Sequence, residues 1–247
     1  MSASVSSWIQ RDGMLSSPLL ESLGLVAGFT TRAQGSMGGT VYPLEEQARN
    51  RAAVARRLGF AEVVRLKQVH GNEVVHLDAP REPWPVADAM WTDRPGVLLG
   101  IAAADCVPIL IADRRSGLIG AGHAGWQGTR LRVAEALTRA LLKAGADPSA
   151  LVASLGPSIG PCCYSIDEQR AALVRESGQG DHLLEGPEGT RFDLWSANAA
   201  QLRAAGVRTI ETAGLCTKSG GADLWSYRAR DRDGRYGTQL GFIGRRA

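Results

Sequence analysis

The stretch VLLGIAAADCVPILIADRRSGLIGAGHAGW, residues 97–126, decides the fold. Two continuous apolar runs, at 97–103 and 107–112, predict strands that are covered on both faces. The segment at 114–117 contains the turn residues Ser and Gly, and residues 118–121 continue as the next strand. The segment therefore predicts a β-hairpin in the interior of a sheet, with further layers packed above and below it.

The hydrophobic period changes on the C-terminal side of this stretch. Val133, Leu137 and Leu141 form one stripe of an amphipathic helix, which Gly145 is placed to end. The other elements predicted downstream are a strand at 151–155, a helix from Asp193 to residue 205 and a strand at 207–210. Strands and helices thus alternate irregularly along this half of the chain.

The upstream side predicts two short strands, at 63–69 and 73–77, around the turn Gly71-Asn72. No internal repeat and no linker divides the chain. We therefore expect an α+β fold in which residues 1–247 form a single domain of mixed β-sheets flanked by helices, with about 15 loose residues at the N-terminus.

Composition excludes several classes of protein. Hydrophobic residues make up 44% and charged residues 21% of the chain, which is typical of globular proteins and not of disordered ones. A formal net charge of +3 is too small to indicate binding to nucleic acid or to an anionic membrane. The four cysteines are too sparse for a disulfide scaffold. With neither a signal peptide nor a transmembrane span apparent, we expect a cytoplasmic protein with reduced thiols.

Three residues with metal-binding side chains stand where a predicted strand meets a turn: His70, Cys106 and His123. One thiolate and two imidazoles suit zinc or copper, and three protein ligands leave a fourth position open for water or substrate. The long gaps between them match no short metal-binding signature. Taken singly, each residue has the alternative of a hydrogen-bonded core histidine or a buried cysteine.

The remaining cysteines and histidines predict structural roles. Cys162 and Cys163 are expected to pack in a tight turn. A redox pair is the alternative, but it is less favoured because adjacent cysteines form only a strained disulfide. Cys216 is expected in the core. His76 lies in a predicted strand and His182 in a charged loop, where histidines are more often structural or solvated than ligands.

Ordered motifs along nearly the whole chain resemble one family. They are GFTTR at 28–32, Asn50-Arg51, LKQVHG at 66–71, ADA at 87–89, ADCVP at 104–108, HAGW at 123–126, GPSIG at 156–160 and SYR at 226–228. In this order they resemble the laccase-domain (YfiH-like) proteins, also called polyphenol oxidases and peptidoglycan editing factors, whose members are regarded as purine nucleoside enzymes.

The resemblance implies a layered fold of mixed sheets and helices and a metal site at His70, Cys106 and His123, holding zinc or copper. It implies phosphorolysis of adenosine, inosine, guanosine and methylthioadenosine, and hydrolytic deamination of adenosine. The partners are then purine nucleosides and phosphate, with no nucleic acid or membrane, in a monomer or homodimer. Gln127 and Ser165 depart from the family pattern, in which arginine and glutamate are usual, and the lost arginine predicts weaker phosphorolysis than deamination.

Roles beyond the metal ligands follow from motif positions. The catalytic set is expected to be His70, Cys106 and His123 with Asp105 as a proton carrier, although a turn or supporting role for Asp105 is the alternative. The expected substrate-binding residues are Arg32, Arg51, Gln127 and Arg228.

Two other reactions compete with nucleoside chemistry. A copper oxidase would need a trinuclear cluster, and only His76 and His182 remain to bind one. A cysteine hydrolase would use Cys106 as nucleophile with a histidine base and would need no metal.

Overall fold

The structure is a computed structural model that describes residues 8–187, 189–220, 223–230 and 232–247. The strands are β1 Ile9–Arg11, β2 Met14–Ser16, β3 Val26–Phe29, β4 Val63–Val64, β5 Val74–His76, β6 Ala89–Thr92, β7 Leu98–Ala103, β8 Val107–Asp113, β9 Ile119–Ala124, β10 Leu151–Leu155, β11 Leu183–Leu184, β12 Arg191–Phe192, β13 Thr209–Thr212 and β14 Gln239–Gly244. The α-helices are α1 Pro18–Glu21, α2 Leu44–Leu58, α3 Trp126–Arg130, α4 Val133–Lys143, α5 Glu168–Glu176 and α6 Leu194–Ala204.

The described strands form two six-stranded sheets and one small antiparallel pair, β11 with β12. The first sheet has the order β1-β2-β3-β14-β7-β4, and the second has the order β13-β10-β8-β9-β6-β5. Most pairings are antiparallel, but β4 with β7, β5 with β6 and β10 with β13 are parallel. The predicted mixed sheets flanked by helices are confirmed.

The two sheets pack face to face, and helices cover their outer sides. Leu99 and Ile101 of the first sheet share one buried core with Leu110 and Ala121 of the second. Helices α4 and α6 pack on the outer face of the second sheet. Helix α2 covers the first sheet at the side of Val63. The order of layers is therefore helix, sheet, sheet, helix.

The segment at 97–126 folds as predicted, with one refinement. Strands β8 and β9 pair antiparallel around the turn at 114–117, and both are buried along their whole length. Strand β7 lies in the first sheet, whereas β8 lies in the second. Residues 104–106 therefore carry the chain from one sheet to the other, and they include Cys106.

The two strands predicted around Gly71-Asn72 are present but shorter, and they do not pair with each other. Val63–Val64 joins the edge of the first sheet, and Val74–His76 joins the edge of the second. In between, Lys67 makes an isolated bridge to Val86, and Gln68 exchanges two hydrogen bonds with the backbone of Ala102. This segment is thus a second crossing between the sheets, and it carries His70.

The downstream elements agree with the sequence, apart from one boundary. Helix α4 begins at Val133, and Asp193 caps α6 by accepting from the N–H groups of residues 195 and 196. The strand expected at 207–210 begins instead at Thr209, because the N–H of Val207 donates to Leu202 and closes α6. Helices α2 and α5 are additional to the predicted elements.

At the N-terminus, residues 1–7 lie outside the described part of the chain. From Ile9 onward, β1 and β2 pair as a hairpin at the edge of the first sheet. None of the helices in the described residues is long and apolar enough to span a bilayer.

Candidate functional site

A cleft of about 520 Å³ opens where the two crossings meet the ends of β7 and β9. This volume lies within the range of small-molecule sites. His70, Cys106 and His123 line it together with Asp105 and Arg228. The side chains of Trp126, Tyr164, Tyr227 and Tyr236 give it aromatic walls.

The structure brings the three predicted metal ligands together. One potential ligand atom from each of His70, Cys106 and His123 lies within 4.8 Å of the other two. The two imidazole rings meet edge to face, with their centroids 4.8 Å apart. His123 is buried within β9, whereas His70 is exposed on the crossing loop. The set therefore combines a rigid ligand from a strand with one that solvent reaches.

Asp88 holds both histidines in place. Its carboxylate is fully buried and accepts hydrogen bonds from the backbone N–H groups of Val69, His70 and Gly71. His70 has φ +63°, and these bonds stabilise that left-handed conformation. The same carboxylate lies 2.9 Å from Nδ1 of His123. Because an ionised carboxylate only accepts, Nδ1 is the donor and Nε2 is left for a metal or a thiolate.

The charges of these groups stabilise one another. Burial alone would raise the pKa of the Cys106 thiol, but the charge of His123 and hydrogen bonds from both histidines lower it. Burial alone would lower the pKa of His123, but Cys106 and Asp88 raise it. Burial opposes ionisation of Asp88 too, yet its bond from His123 helps to hold its pKa below the usual value. Each group thus favours the charged form of its neighbour, which links Cys106, His123 and Asp88 in one chain of interactions.

The donor set and the space beside it fit a metal ion. Two nitrogens and a sulfur are ligands that both zinc and copper accept. Gly125 keeps this region open, since a Cβ at that position would lie 2.8 Å from Sγ of Cys106 and 3.2 Å from Cδ2 of His70. The support that Asp88 gives to His123 is also the usual arrangement behind a metal-bound histidine.

Asp105 lines the cleft, but other residues of the chain occupy both of its carboxylate oxygens. Oδ1 accepts from the hydroxyl of Thr217 at 2.6 Å, and Oδ2 accepts from the backbone N–H of Arg228 at 2.7 Å. Its backbone has φ +87° at the crossing between β7 and β8. These bonds favour the alternative of a supporting role, in which Asp105 positions Cys106 and Arg228.

The four predicted substrate-binding residues are not together. Arg228 lines the cleft, with its guanidinium 4.9 Å from the ring centroid of Tyr164 and a bond to the carbonyl of Ser165. The other three are not among its lining residues. Arg32 binds the carbonyl of Leu224 and Asp223, Arg51 binds the carbonyl of Met37, and Gln127 is exposed on α3.

Gln127 also lies in a different element from the one that its sequence position indicates. In the sequence it stands just before the apolar stripe that begins at Val133, but in the structure it lies inside the separate five-residue helix α3. Arg132 has φ +63° and separates α3 from α4. The turn between them breaks the apolar period that the sequence pattern follows.

Sequence reasoning missed Asp88 and Arg170 as site residues. Arg170 lines the cleft from α5, with its guanidinium 5.4 Å from the ring centroid of Trp126. Asp88 had a visible signal, because it is an acidic residue between two alanines in one of the motifs quoted above. Arg170 had none, since α5 reads as an ordinary solvated helix.

The other histidines have structural partners. His76 stacks on Trp91, and Asp93 lies 3.5 Å from its Nε2. His182 is half-buried rather than solvated, because its Nδ1 pairs with the hydroxyl of Ser196 at 2.9 Å. Neither belongs to a group of potential metal ligands in the described residues.

The remaining cysteines form a second cluster. Cys216 is buried, as predicted, and the turn at 160–164 carries Cys162 and Cys163. Cys162 is exposed and not packed, contrary to the prediction, while Cys163 is half-buried.

The fold and the site define a family. Residues 27–246 match the family model described as multi-copper polyphenol oxidoreductase laccase, and the chain belongs to this laccase-domain, YfiH-like family. Among curated relatives, the purine nucleoside phosphorylase of Deinococcus radiodurans is 41% identical over 240 residues, which cover 92% of each chain.

Solved structures agree with this family. YlmD of Geobacillus stearothermophilus superimposes with a TM-score of 0.88 at 31% identity, over 97% of this chain and 99% of that one. The hypothetical protein YfiH of Bacillus licheniformis superimposes with a TM-score of 0.84 at 28% identity, over 96% of this chain and 98% of that one. YlmD is also named a purine nucleoside phosphorylase.

Proposed function

We propose that this protein is a metal-dependent purine nucleoside enzyme that cleaves purine nucleosides with phosphate. The observation that carries the proposal is the convergence of His70, Cys106 and His123 in a cleft that also holds Arg228 and Arg170. The names of the relatives support the substrate class, and the cleft volume suits a molecule of nucleoside size.

The walls of the cleft suit a purine and an anion. Trp126, Tyr164 and Tyr227 offer aromatic faces on which a purine ring can stack. Arg228 and Arg170 offer guanidinium groups, which match the geometry of phosphate oxygens. In phosphorolysis these arginines hold phosphate against the ribose carbon, while the purine leaves from the other side of the sugar.

His70, Cys106 and His123 would hold the metal ion, for which we propose zinc, with copper as the alternative. Such an ion supplies a Lewis acid and lowers the pKa of a water molecule, which is the chemistry that deamination of adenosine requires. Asp88 keeps Nδ1 of His123 protonated and so keeps Nε2 available. We therefore propose adenosine deamination as a second activity of the same cleft, with inosine, guanosine and methylthioadenosine as further phosphorolysis substrates.

Metal removal is the direct test. The purified chain is stripped with a chelator and incubated with adenosine, with and without phosphate, and the products are separated by chromatography. We expect adenine only with phosphate, inosine without it, loss of both activities on stripping and recovery with zinc. Cys106→Ser and His123→Ala should abolish both activities while circular dichroism remains that of the folded chain. Full turnover by the stripped protein would contradict the proposal.

A cysteine hydrolase is the second candidate, because the lowered pKa of Cys106 and the raised pKa of His123 describe a nucleophile and its partner. The chelator separates the two cases. A hydrolase keeps its activity without metal and loses it on alkylation of Cys106.

A copper oxidase is the third candidate, because the description of the matching family model names this activity. A single copper centre would already use both site histidines, and His76 and His182 are committed to Trp91 and Ser196. Phenol oxidation that appears only after copper loading, in a protein that processes nucleosides with zinc, would identify oxidation as a side reaction.

A further inference from the structure

A group of three cysteines lies outside the site described above. One ligand atom from each of Cys162, Cys163 and Cys216 lies within 4.8 Å of the other two. The Sγ atoms of Cys162 and Cys163 are 3.6 Å apart, which is too far for a covalent bond. Cys216 is more than 50 residues away from the other two in the sequence, so the cluster is a product of the fold.

Hydrogen bonds connect all three sulfurs of this cluster to the surrounding chain, and one of these bonds stabilises a thiolate at Cys216. The N–H of Gly160 donates to Sγ of Cys216 at 3.3 Å. Ser219 lies beside the other two thiols: Sγ of Cys163 donates to its Oγ at 3.3 Å, and Sγ of Cys162 lies 3.5 Å from the same oxygen. The N–H directed at the sulfur of Cys216 stabilises its thiolate, which is the form that binds metals.

We propose that Cys162, Cys163 and Cys216 form a second metal site, which takes a thiophilic ion, Zn²⁺ or Cu⁺. Soft thiolate ligands select these ions among those available in proteins. Three sulfurs around one zinc ion, each bonded at about 2.3 Å, lie roughly 3.8 Å from one another. The Cys162–Cys163 pair is close to this spacing at 3.6 Å, and Cys216 lies within 4.8 Å of both. Binding displaces the thiol protons, which pass to solvent.

The position of the cluster makes it accessible to an ion from solvent and connects it to the wall of the cleft. Cys162 is exposed, so an ion reaches the thiols without opening the core. Tyr164 follows Cys163 directly and lines the cleft, and Thr217 follows Cys216 and binds Asp105. An ion at the cluster therefore ties together two loops that support the cleft wall.

The test measures metal content of the full chain and does not depend on turnover. Reduced protein stripped of metal is titrated without oxygen, in one arm with Zn²⁺ and in the other with Cu⁺, and metal is quantified after desalting. We expect about two ions per chain in the wild type and about one in each of Cys106→Ser and Cys162→Ser/Cys163→Ser. The arm that reaches the higher stoichiometry at lower free metal identifies the preferred ion.

The two variants act as controls for each other. The cluster variant should keep the ion at His70, Cys106 and His123, whereas Cys106→Ser should keep the cluster ion, whose sulfur coordination X-ray absorption detects. A second variant, Cys163→Ala, guards against a fold defect, because it should lose the same ion with an unchanged circular dichroism spectrum. Equal metal content in the wild type and both cluster variants would overturn the proposal, as would a disulfide within the cluster under reducing conditions.

Discussion

Asp88 shows how a single side chain can organise a site at the scale of one residue. It lies on the approach to β6, and it reaches the loop of His70 and the ring of His123 from there. Sequence patterns identify the two histidines, because each follows an apolar run at a turn. The motif at 87–89 marks Asp88 but gives it no role, because its partners become neighbours only when β5 and β9 pair with β6 in the second sheet.

The first prediction concerns Asp88→Asn. The amide keeps the shape but removes the charge, so it no longer holds Nδ1 of His123 as a donor or stabilises the left-handed backbone of His70 as strongly. We expect metal affinity to fall about 10- to 100-fold, with a parallel loss of turnover at limiting metal. Competitive zinc titration measures the affinity. Asp78→Asn, at an exposed carboxylate, is the matched control and should bind zinc like the wild type.

The second prediction concerns Arg228→Gln. The change removes a guanidinium from the cleft but leaves the backbone N–H that donates to Asp105. A charge-assisted hydrogen bond to phosphate is worth about 1.5–3 kcal/mol, so we expect the phosphate KM to rise at least about tenfold. Adenosine deamination, which uses no phosphate, should change little.

The matched control is Arg139→Gln, because that arginine is exposed on α4 and pairs only locally with Glu135. An unchanged phosphate KM in Arg228→Gln would show that phosphate binds elsewhere. Gln127→Arg then becomes informative, since a tighter phosphate KM in that variant would indicate that residue 127 faces the anion.

At the scale of elements, the hydrophobic pattern of the sequence predicts a helix or strand correctly when that element buries a large part of its apolar surface. Strands β8 and β9 are buried throughout and α4 has a clear apolar stripe, so their patterns identify them. Helix α2 buries only Gln47, Val54 and Ala55 among its 15 residues, which leaves no stripe to detect. The crossing loop of His70 is unpredictable for another reason, because side-chain bonds from other segments replace its strand pairing.

The third prediction tests the hairpin of β8 and β9 through Asp113. Its buried carboxylate accepts from the N–H groups of Arg115 and Asp147 and from the hydroxyl of Ser116. Burial opposes ionisation, but these bonds hold the pKa of Asp113 below its usual value. The folded state thus favours the ionised form. The resulting stability is present above the unfolded pKa of about 3.9 and is lost as pH falls through the folded pKa.

We therefore expect Asp113→Asn to lower the free energy of unfolding at neutral pH by about 1–3 kcal/mol. The difference from the wild type should shrink as the pH is lowered below about 4. Urea denaturation at a series of pH values measures it. A difference that stays constant down to the most acid buffer would show that the charge of Asp113 contributes nothing to stability.

For the whole molecule, the close approach of the two sheets controls the geometry of the site. Pro108 of the second sheet points at Gly241 of the first, where an added Cβ would lie 2.7 Å from Cβ of the proline. Gly156 also leaves room for this proline, because a Cβ added at Gly156 would lie 2.7 Å from Cγ of Pro108. Pro108 is also the strand partner of His123. The spacing between the sheets is thus transmitted directly to a candidate metal ligand.

The fourth prediction concerns Gly241→Ala. The added methyl group meets backbone-bound atoms of Pro108, which cannot rotate away, so we expect a loss of about 1–3 kcal/mol in stability. In a chain of this size, that corresponds to a fall in Tm of roughly 2–4 °C per kcal/mol. Gly180→Ala, whose Cβ would make only ordinary contacts of 3.4 Å or more, is the control. A melting temperature of Gly241→Ala equal to that of the wild type would mean that the two sheets can move apart without a loss of stability.

The position of β14 also has a consequence for how the protein is made. This strand lies between β3 and β7, and Gly241 pairs with Phe29 on one side and Ile101 on the other. A nascent chain that has emerged from the ribosome only as far as β13 has the two flanking strands but not the one that joins them. The edges of β3 and β7 then remain open to other chains, as unpaired strand edges do. We infer that these two edges stay available for association with other chains until β14 has been synthesised and has paired with both of them.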